Sequence, residues 1–303
     1  MVLSAIIIWL SIAVDRLLGD PPNRFHPTAY LGRFIGWWGI PSLYPQYLER
    51  AAGVVGMIVT AFLFTTPFVV FAQYAPFILL IIGTPVLLKL CFAWRCLEEH
   101  VTAVRSALAT DLSRGREEVR MLVSRETSSL SGEEILSAAY ESMSENLVDS
   151  IVSPLFYFAL FGLGGAAFFR AVNTADAMLG YRDERIRIGW FAARLDDLLG
   201  YIPARAAGFL LLCYFWVKGR AGPAYATLIR DAKKRAGFNG GIPLAIIAGG
   251  VGVVFEKPGV YTIGDGPRTI EEAGGEIVSA VRAVTVAWAA LLSGVMVLIT
   301  LYF

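Results

Sequence analysis

Residues 140–169 read YESMSENLVDSIVSPLFYFALFGLGGAAFF. An acidic run passes directly into an apolar block. Glu141, Glu145 and Asp149 recur every four residues, which stacks them on one face of a helix. The block behind them approaches the roughly 20 apolar residues that a spanning helix needs. A straight span would leave the acidic row and the polar residues from Asn173 onward on opposite sides of a bilayer. Pro154 and the cluster Gly162-Leu163-Gly164-Gly165 interrupt that span. The stretch is therefore expected to fold as a re-entrant helical hairpin that brings Asp149 and Asn173 back together. Irregular backbone at membrane depth is tolerated where protein or a cavity covers it, as at the broken helices of transporters.

The rest of the chain points to the same class. Residues 53–72 (GVVGMIVTAFLFTTPFVVFA) and 76–94 (PFILLIIGTPVLLKLCFAW) read as a transmembrane hairpin. Residues 282–303 and 203–217 are further apolar segments, and 2–14 is short for a full span. Lys89 sits near the end of its apolar segment, where snorkelling to the interface would account for it. VLSAIIIWLSIAV at 2–14 lacks a basic leader and a small-residue cleavage site, and reads as a retained helix. Residues 251–264 alternate around a Lys-Pro-Gly turn, the pattern of one β-hairpin. Thr269 and Glu272 form a capping-box pattern that starts the last helix. The expected fold is an all-α polytopic membrane protein. It is a transmembrane helix bundle with a re-entrant hairpin and one small β-hairpin, in a single integral membrane domain over 1–303.

Composition agrees. Of 303 residues, 56% are hydrophobic and 17% charged, more apolar and less charged than a soluble domain. The net charge of +1 gives no field for nucleic acid. Two histidines and three cysteines, Cys91, Cys96 and Cys213, exclude a His-rich metal site and match no zinc spacing.

Polar chemistry gathers at 15–33, 95–150, 170–205 and 218–272. The loop 218–240 has six Lys/Arg against one Asp, which places it on the cytoplasmic side of the cell membrane. The acidic row needs a neutralising partner, and magnesium with bridging phosphates would serve; a solvated acidic face is the plain alternative. Asn146 lies beside the row. The region 171–205 holds Asn173, Asp176, Arg182, Arg194, Asp196, Asp197 and Arg205 among small and aromatic residues. Arginines there suit phosphates and carboxylates, although internal salt bridges would use the same residues. His26 follows Asp20-Pro-Pro and is more simply structural than catalytic. In SRET at 124–127, Ser124 is expected to cap a helix. No P-loop, strand-linked G-x-G-x-x-G or G-x-S-x-G elbow is present.

In order, DRLLGDPPNRFHP…GR, SRET, ESMSEN..D, SPLFY, NT.DAM.GYR and ARLDDL..YIPAR resemble the adenosylcobinamide-phosphate synthase family of cobalamin biosynthesis, over essentially the whole chain. Two stretches depart from the family pattern. Thr28-Ala29-Tyr30-Leu31-Gly32-Arg33 replaces a Val-rich, Met-Gly-Arg continuation, and Asn239-Gly240-Gly241-Ile242-Pro243 replaces Asn-Ala-Gly-Trp-Pro.

The resemblance implies a membrane-embedded helical ligase. It would join adenosylcobyric acid to aminopropanol phosphate, or the free amino alcohol, using ATP and magnesium. Glu141, Glu145, Asp149 and Asp176 then become candidates for magnesium binding or for deprotonating the amine. Arg182, Arg194 and Arg205 become candidates for phosphates. Asp196 and Asp197 would orient arginines or hold a second metal, and Asn146 and Asn173 would bind corrin amides or phosphate oxygens. Arg125 and His26 join the substrate-binding set. The bilayer and other corrinoid-pathway membrane enzymes are the expected partners. A prenyltransferase-type membrane transferase would need two equivalent Asp-rich motifs, and no repeat supplies them. A transporter would carry its charges mid-span, whereas most charges here cluster at segment ends. A non-catalytic membrane subunit is the third alternative.

Overall fold

The computed structural model of the protein describes residues 1–302. It is a helical protein whose described residues include one two-stranded sheet. Among the described residues, three helical runs are long and apolar enough to cross a membrane: Glu49–Tyr74, Gly132–Leu179 and Ile270–Tyr302. The pair Trp190–Leu199 and Tyr201–Val217, broken at Gly200, makes a fourth if counted as one. The chain packs as two compact units, residues 1–93, 153–200 and 289–302, and residues 94–152 and 201–288.

The first unit contains α1 (Val2–Leu18), α2 (Pro27–Trp38), α3 (Glu49–Tyr74) and α4 (Phe77–Lys89). It also contains α8 (Ser153–Leu179) and α9 (Trp190–Leu199). Its core joins Leu31, Ile35 and Trp38 of α2 to Met57 and Ala61 of α3 and to Ala171, Val172 and Ala175 of α8. The Trp38 indole donates to Thr60 Oγ1 at 3.0 Å. A side chain at Gly53 would strike the Ile188 carbonyl, so this glycine sets how closely α3 approaches. Outward, α3 exposes Val55, Ile58, Phe62, Leu63, Val69 and Val70, an apolar face suited to lipid.

The expected hairpin lies inside α8. Gly162 interrupts the helix at φ 64°, ψ −154°. The Tyr157 and Phe169 rings stack with centroids 5.4 Å apart. Twelve residues of unbroken helix would separate them by roughly 18 Å, so the chain turns back at Gly162. Pro154 is not part of the turn. It has no N–H for the carbonyl of residue 150, and the helix relaxes into a π turn at Val148–Val152 just before it.

Two expectations at 76–94 are corrected. The second leg of the apolar pair is only the 13-residue α4. Lys89 does not snorkel: it is 2% exposed, with Nζ 2.5 Å from Asp20 Oδ1 and 3.1 Å from Asp15 Oδ1. A lysine turned inward onto two aspartates ends the apolar leg early.

The second unit contains α5 (Arg95–Thr110), α6 (Leu112–Arg120), α7 (Gly132–Leu147), α10 (Tyr201–Val217), α11 (Ala221–Asp231) and α12 (Gly241–Val251). α12 is apolar on every side and almost wholly buried, as expected of a core helix. Each of Leu244, Ile246 and Ile247 contributes about 1.5–3 kcal/mol by its burial. The hairpin pairs β1 (Phe255–Lys257) with β2 (Tyr261–Ile263) antiparallel, Phe255 opposite Ile263. The segment 218–240 is not a loop: it carries α11 and a 3-10 turn. The final helix, α13 (Ile270–Tyr302), begins at the Thr269–Glu272 capping box, with both reciprocal bonds at 3.4 Å. Ser124 caps nothing; the helix start belongs to Ser131, whose capping box with Glu134 opens α7. Glu126 instead accepts from the Thr127 and Ser128 N–H groups at 3.0 Å, holding SRET as a turn.

Candidate functional site

In the second unit the acidic row is built as the spacing predicts. Glu141 and Glu145 lie on α7, and Asp149 enters the π turn that follows. Such turns recur at functional sites because they re-aim side chains within a helix. The row is occupied by cations and a phenol. Arg235 grips Glu145 with a two-pronged pair, Nη2 donating to Oε2 at 2.9 Å and Nε to Oε1. Burial disfavours the Arg235 charge, but Glu145 outweighs it and raises the guanidinium's pKa; Asp149 acts in the same direction. Gly240 makes room for this arginine, since a Cβ there would stand 2.6 Å from Arg235 Cζ.

Tyr261 on β2 donates to Glu141 Oε1 at 2.7 Å. Burial, together with the charges of Glu145 and Glu141, pushes the phenol's pKa well up, so it remains a neutral donor. The β-hairpin that carries Tyr261 is fastened to α7 through Ser137 Oγ, which accepts from the Glu256 N–H at 2.8 Å. Arg125 approaches Glu141 from the SRET turn, Nη2 to Oε2 4.0 Å. Asn146 is tied within its own helix, donating to the Ser142 carbonyl at 2.9 Å and accepting from Ser150 at 3.1 Å. Arg205 donates to Asn239 at 2.9 Å and lies over the Tyr201 ring.

The first unit holds the other predicted residues. Asn173 donates to Asp196 Oδ1 at 3.2 Å, which joins α8 to α9. Arg170 Nε donates to the Cys91 carbonyl at 2.8 Å and its Nη1 stands 3.5 Å from Asn173 Oδ1. Asp176 lies against Gly180, where a Cβ would come 2.1 Å from its Oδ1. Arg194 pairs loosely with Asp197 at 3.9 Å, and both Arg182 and Arg194 are exposed. His26 caps α2 through Nδ1 and reaches Asp20 Oδ1 at 3.3 Å through Nε2. Burial works against the Asp20 carboxylate, yet hydrogen bonds from His26 and Lys89 hold its pKa well below the usual range.

The donor set does not make a protein cage for magnesium. Among the described residues no three His, Cys, Asp or Glu side chains converge on a common point. Glu145 spends both oxygens on Arg235, and Glu141 spends one on Tyr261.

Sequence reasoning missed Arg235, Tyr261, Arg170 and the Lys89–Asp15–Asp20 network. Lys89 carried a signal, a charge inside an apolar stretch. Arg235 had none that set it apart from its five basic neighbours in 218–240.

The family model for "CobD/Cbib protein" matches residues 8–290. A "Cobalamin biosynthesis protein CobD" from Dehalococcoides mccartyi is 37% identical over 272 residues, 88% of each chain. Two archaeal proteins named "Probable cobalamin biosynthesis protein CobD" are also similar. The one from Thermococcus kodakarensis is 44% identical over 257 residues, 83% of this chain and 82% of its own. The one from Methanothermobacter thermautotrophicus is 40% identical over 261 residues, 86% of each. No solved structure matches the chain.

Proposed function

The chain belongs to the CobD/Cbib protein family, and from that premise we propose that it is a membrane ligase of cobalamin biosynthesis, an adenosylcobinamide-phosphate synthase. The observation that carries the proposal is the family match over 8–290, joined to two polar clusters set among apolar helices. The reaction joins a carboxyl group of adenosylcobyric acid to the amine of aminopropanol phosphate. A carboxylate does not react with an amine unaided, because its oxygen is a poor leaving group. ATP therefore transfers its terminal phosphoryl group to the carboxylate and leaves as ADP. The amine attacks the acyl phosphate, and phosphate departs with loss of a proton from nitrogen.

Phosphoryl transfer asks the protein for positioning and cationic stabilisation rather than covalent chemistry. Arg182 and Arg194 are exposed and available to phosphates, and Arg205 is the third candidate. Glu141, with one oxygen fixed by Tyr261, is suited to take the amine proton. Asp176, Asp196 and Asn173 are assigned to substrate groups. In this reading magnesium arrives with the ATP phosphates, since the carboxylates present do not cage it. A large amphiphilic corrin also suits a site carried by membrane helices.

The test is purified protein with adenosylcobyric acid, aminopropanol phosphate, ATP and magnesium. ATP-dependent amide product is expected, and Asp149→Asn and Asp176→Asn should abolish it in folded protein. No amide product with any divalent metal would remove the enzyme reading.

A further inference from the structure

Arg125 presents a mostly buried guanidinium that makes no hydrogen bond and has Glu141, 4.0 Å away, as its ion-pair partner. Its side chain is 14% exposed, and Nε, Nη1 and Nη2 are all buried without a hydrogen-bond partner. Glu141 Oε2 is likewise buried and makes no hydrogen bond. Native proteins satisfy most buried polar atoms, and charged ones above all. Four such atoms side by side make a charge-balanced polar place for a group that both accepts and donates hydrogen bonds. Tyr261 fixes Glu141 through its other oxygen, which leaves Oε2 directed at the guanidinium. Glu145 is already neutralised by Arg235 and does not compete for Arg125.

The ligand must accept hydrogen bonds from a cation and donate one to a carboxylate a few ångströms away. A lone phosphate would satisfy Arg125 but meet Glu141 with like charge. A lone amine would satisfy Glu141 and leave Arg125 unpaired. We infer that Arg125 and Glu141 form the seat of a short amine phosphate, its phosphate on Arg125 and its nitrogen on Glu141. The inference rests on the proposed function and deepens it. It gives the amino-alcohol substrate its place and makes Arg125, on the SRET turn, the residue that selects the phosphorylated form over the free amino alcohol.

The test uses the purified full chain in detergent, without ATP or corrinoid, and measures binding of O-phosphoethanolamine, ethanolamine and methyl phosphate by calorimetry. The wild type is expected to bind O-phosphoethanolamine at least about tenfold more tightly than either fragment. Arg125→Met should reduce its affinity to that of ethanolamine, and Glu141→Gln to that of methyl phosphate. Arg125→Lys, which keeps the charge, should fall between. The seat is overturned if the wild type binds O-phosphoethanolamine no better than methyl phosphate, a comparison that needs no variant. It is also overturned if folded Arg125→Met binds it as well as the wild type. Selective binding without amide synthesis would keep the seat and sink the ligase; amide synthesis without selective binding would do the reverse.

Discussion

At the scale of single residues, the buried charges are the informative ones. Lys89 holds Asp15, which is fully buried, and Asp20 together. Removing one partner of such a group strands the others in a low-dielectric setting. Lys89→Met is expected to destabilise the protein by about 3–5 kcal/mol, read by chemical denaturation in detergent. An unchanged midpoint would mean that the aspartates find solvent in its place. Acid should act on the same network. Hydrogen bonds from Arg230 lower the pKa of Asp231, which burial raises and Lys234 and the Gly264 N–H lower further; Asp20 is lowered as well. A carboxylate with a depressed folded pKa stabilises fully above its unfolded value of about 3.9 and loses that contribution as pH falls toward the folded one. The melting temperature is therefore expected to stay level from pH 7 to about 5 and to drop below about 4. Asp20→Asn should shrink that drop. A loss of stability centred near neutrality would assign it to other groups.

At the scale of elements, helix starts and breaks follow local chemistry, and tertiary context chose among the options. The helix start expected at Ser124 lies at Ser131 instead. Only Ser131 has a glutamate three residues on that can reach back to its own N–H, which Glu134 does at 2.7 Å. The turn in α8 depends on one glycine. Gly162 has φ 64° and ψ −154°, a region that side chains strongly disfavour, and a Cβ there would meet nothing within 4 Å. Gly162→Ala should therefore cost about 1–3 kcal/mol from backbone strain alone, seen as a lower melting temperature. A neutral substitution would show that the reversal tolerates another backbone geometry.

At the scale of the whole molecule, apolar helices dominate. Two long apolar runs among the described residues, Glu49–Tyr74 and Ile270–Tyr302, expose large aliphatic and aromatic side chains, whereas Gly132–Leu179 is mostly buried and exposes Leu160 and Phe161. The expressed protein is expected in the membrane fraction, to resist extraction by alkaline carbonate and to leave with detergent. Release by carbonate would reduce it to a peripheral protein.

The helical class, the long apolar runs, the β-hairpin, the last helix start and the reversal near Gly162 were all legible in the sequence. Each depends on local periodicity, a cap or a backbone that only glycine adopts, and those signals lie within a few residues of one another. The acidic row was legible too, since a spacing of four fixes a helical face. Its partners were not. Arg235 lies 90 residues from Glu145, and Tyr261 lies 120 from Glu141. Nothing local distinguishes that arginine from its neighbours, because a salt bridge is a property of two surfaces brought together by packing. The same holds for Lys89, whose apolar surroundings read as a membrane edge until α1 and the turn after it brought Asp15 and Asp20 to it. The sequence by itself determined the helical class, the β-hairpin, the last helix start and the residues that carry charge. Only the tertiary structure decided which charges neutralise one another, because electrostatic pairing falls off with distance in space and takes no account of distance along the chain.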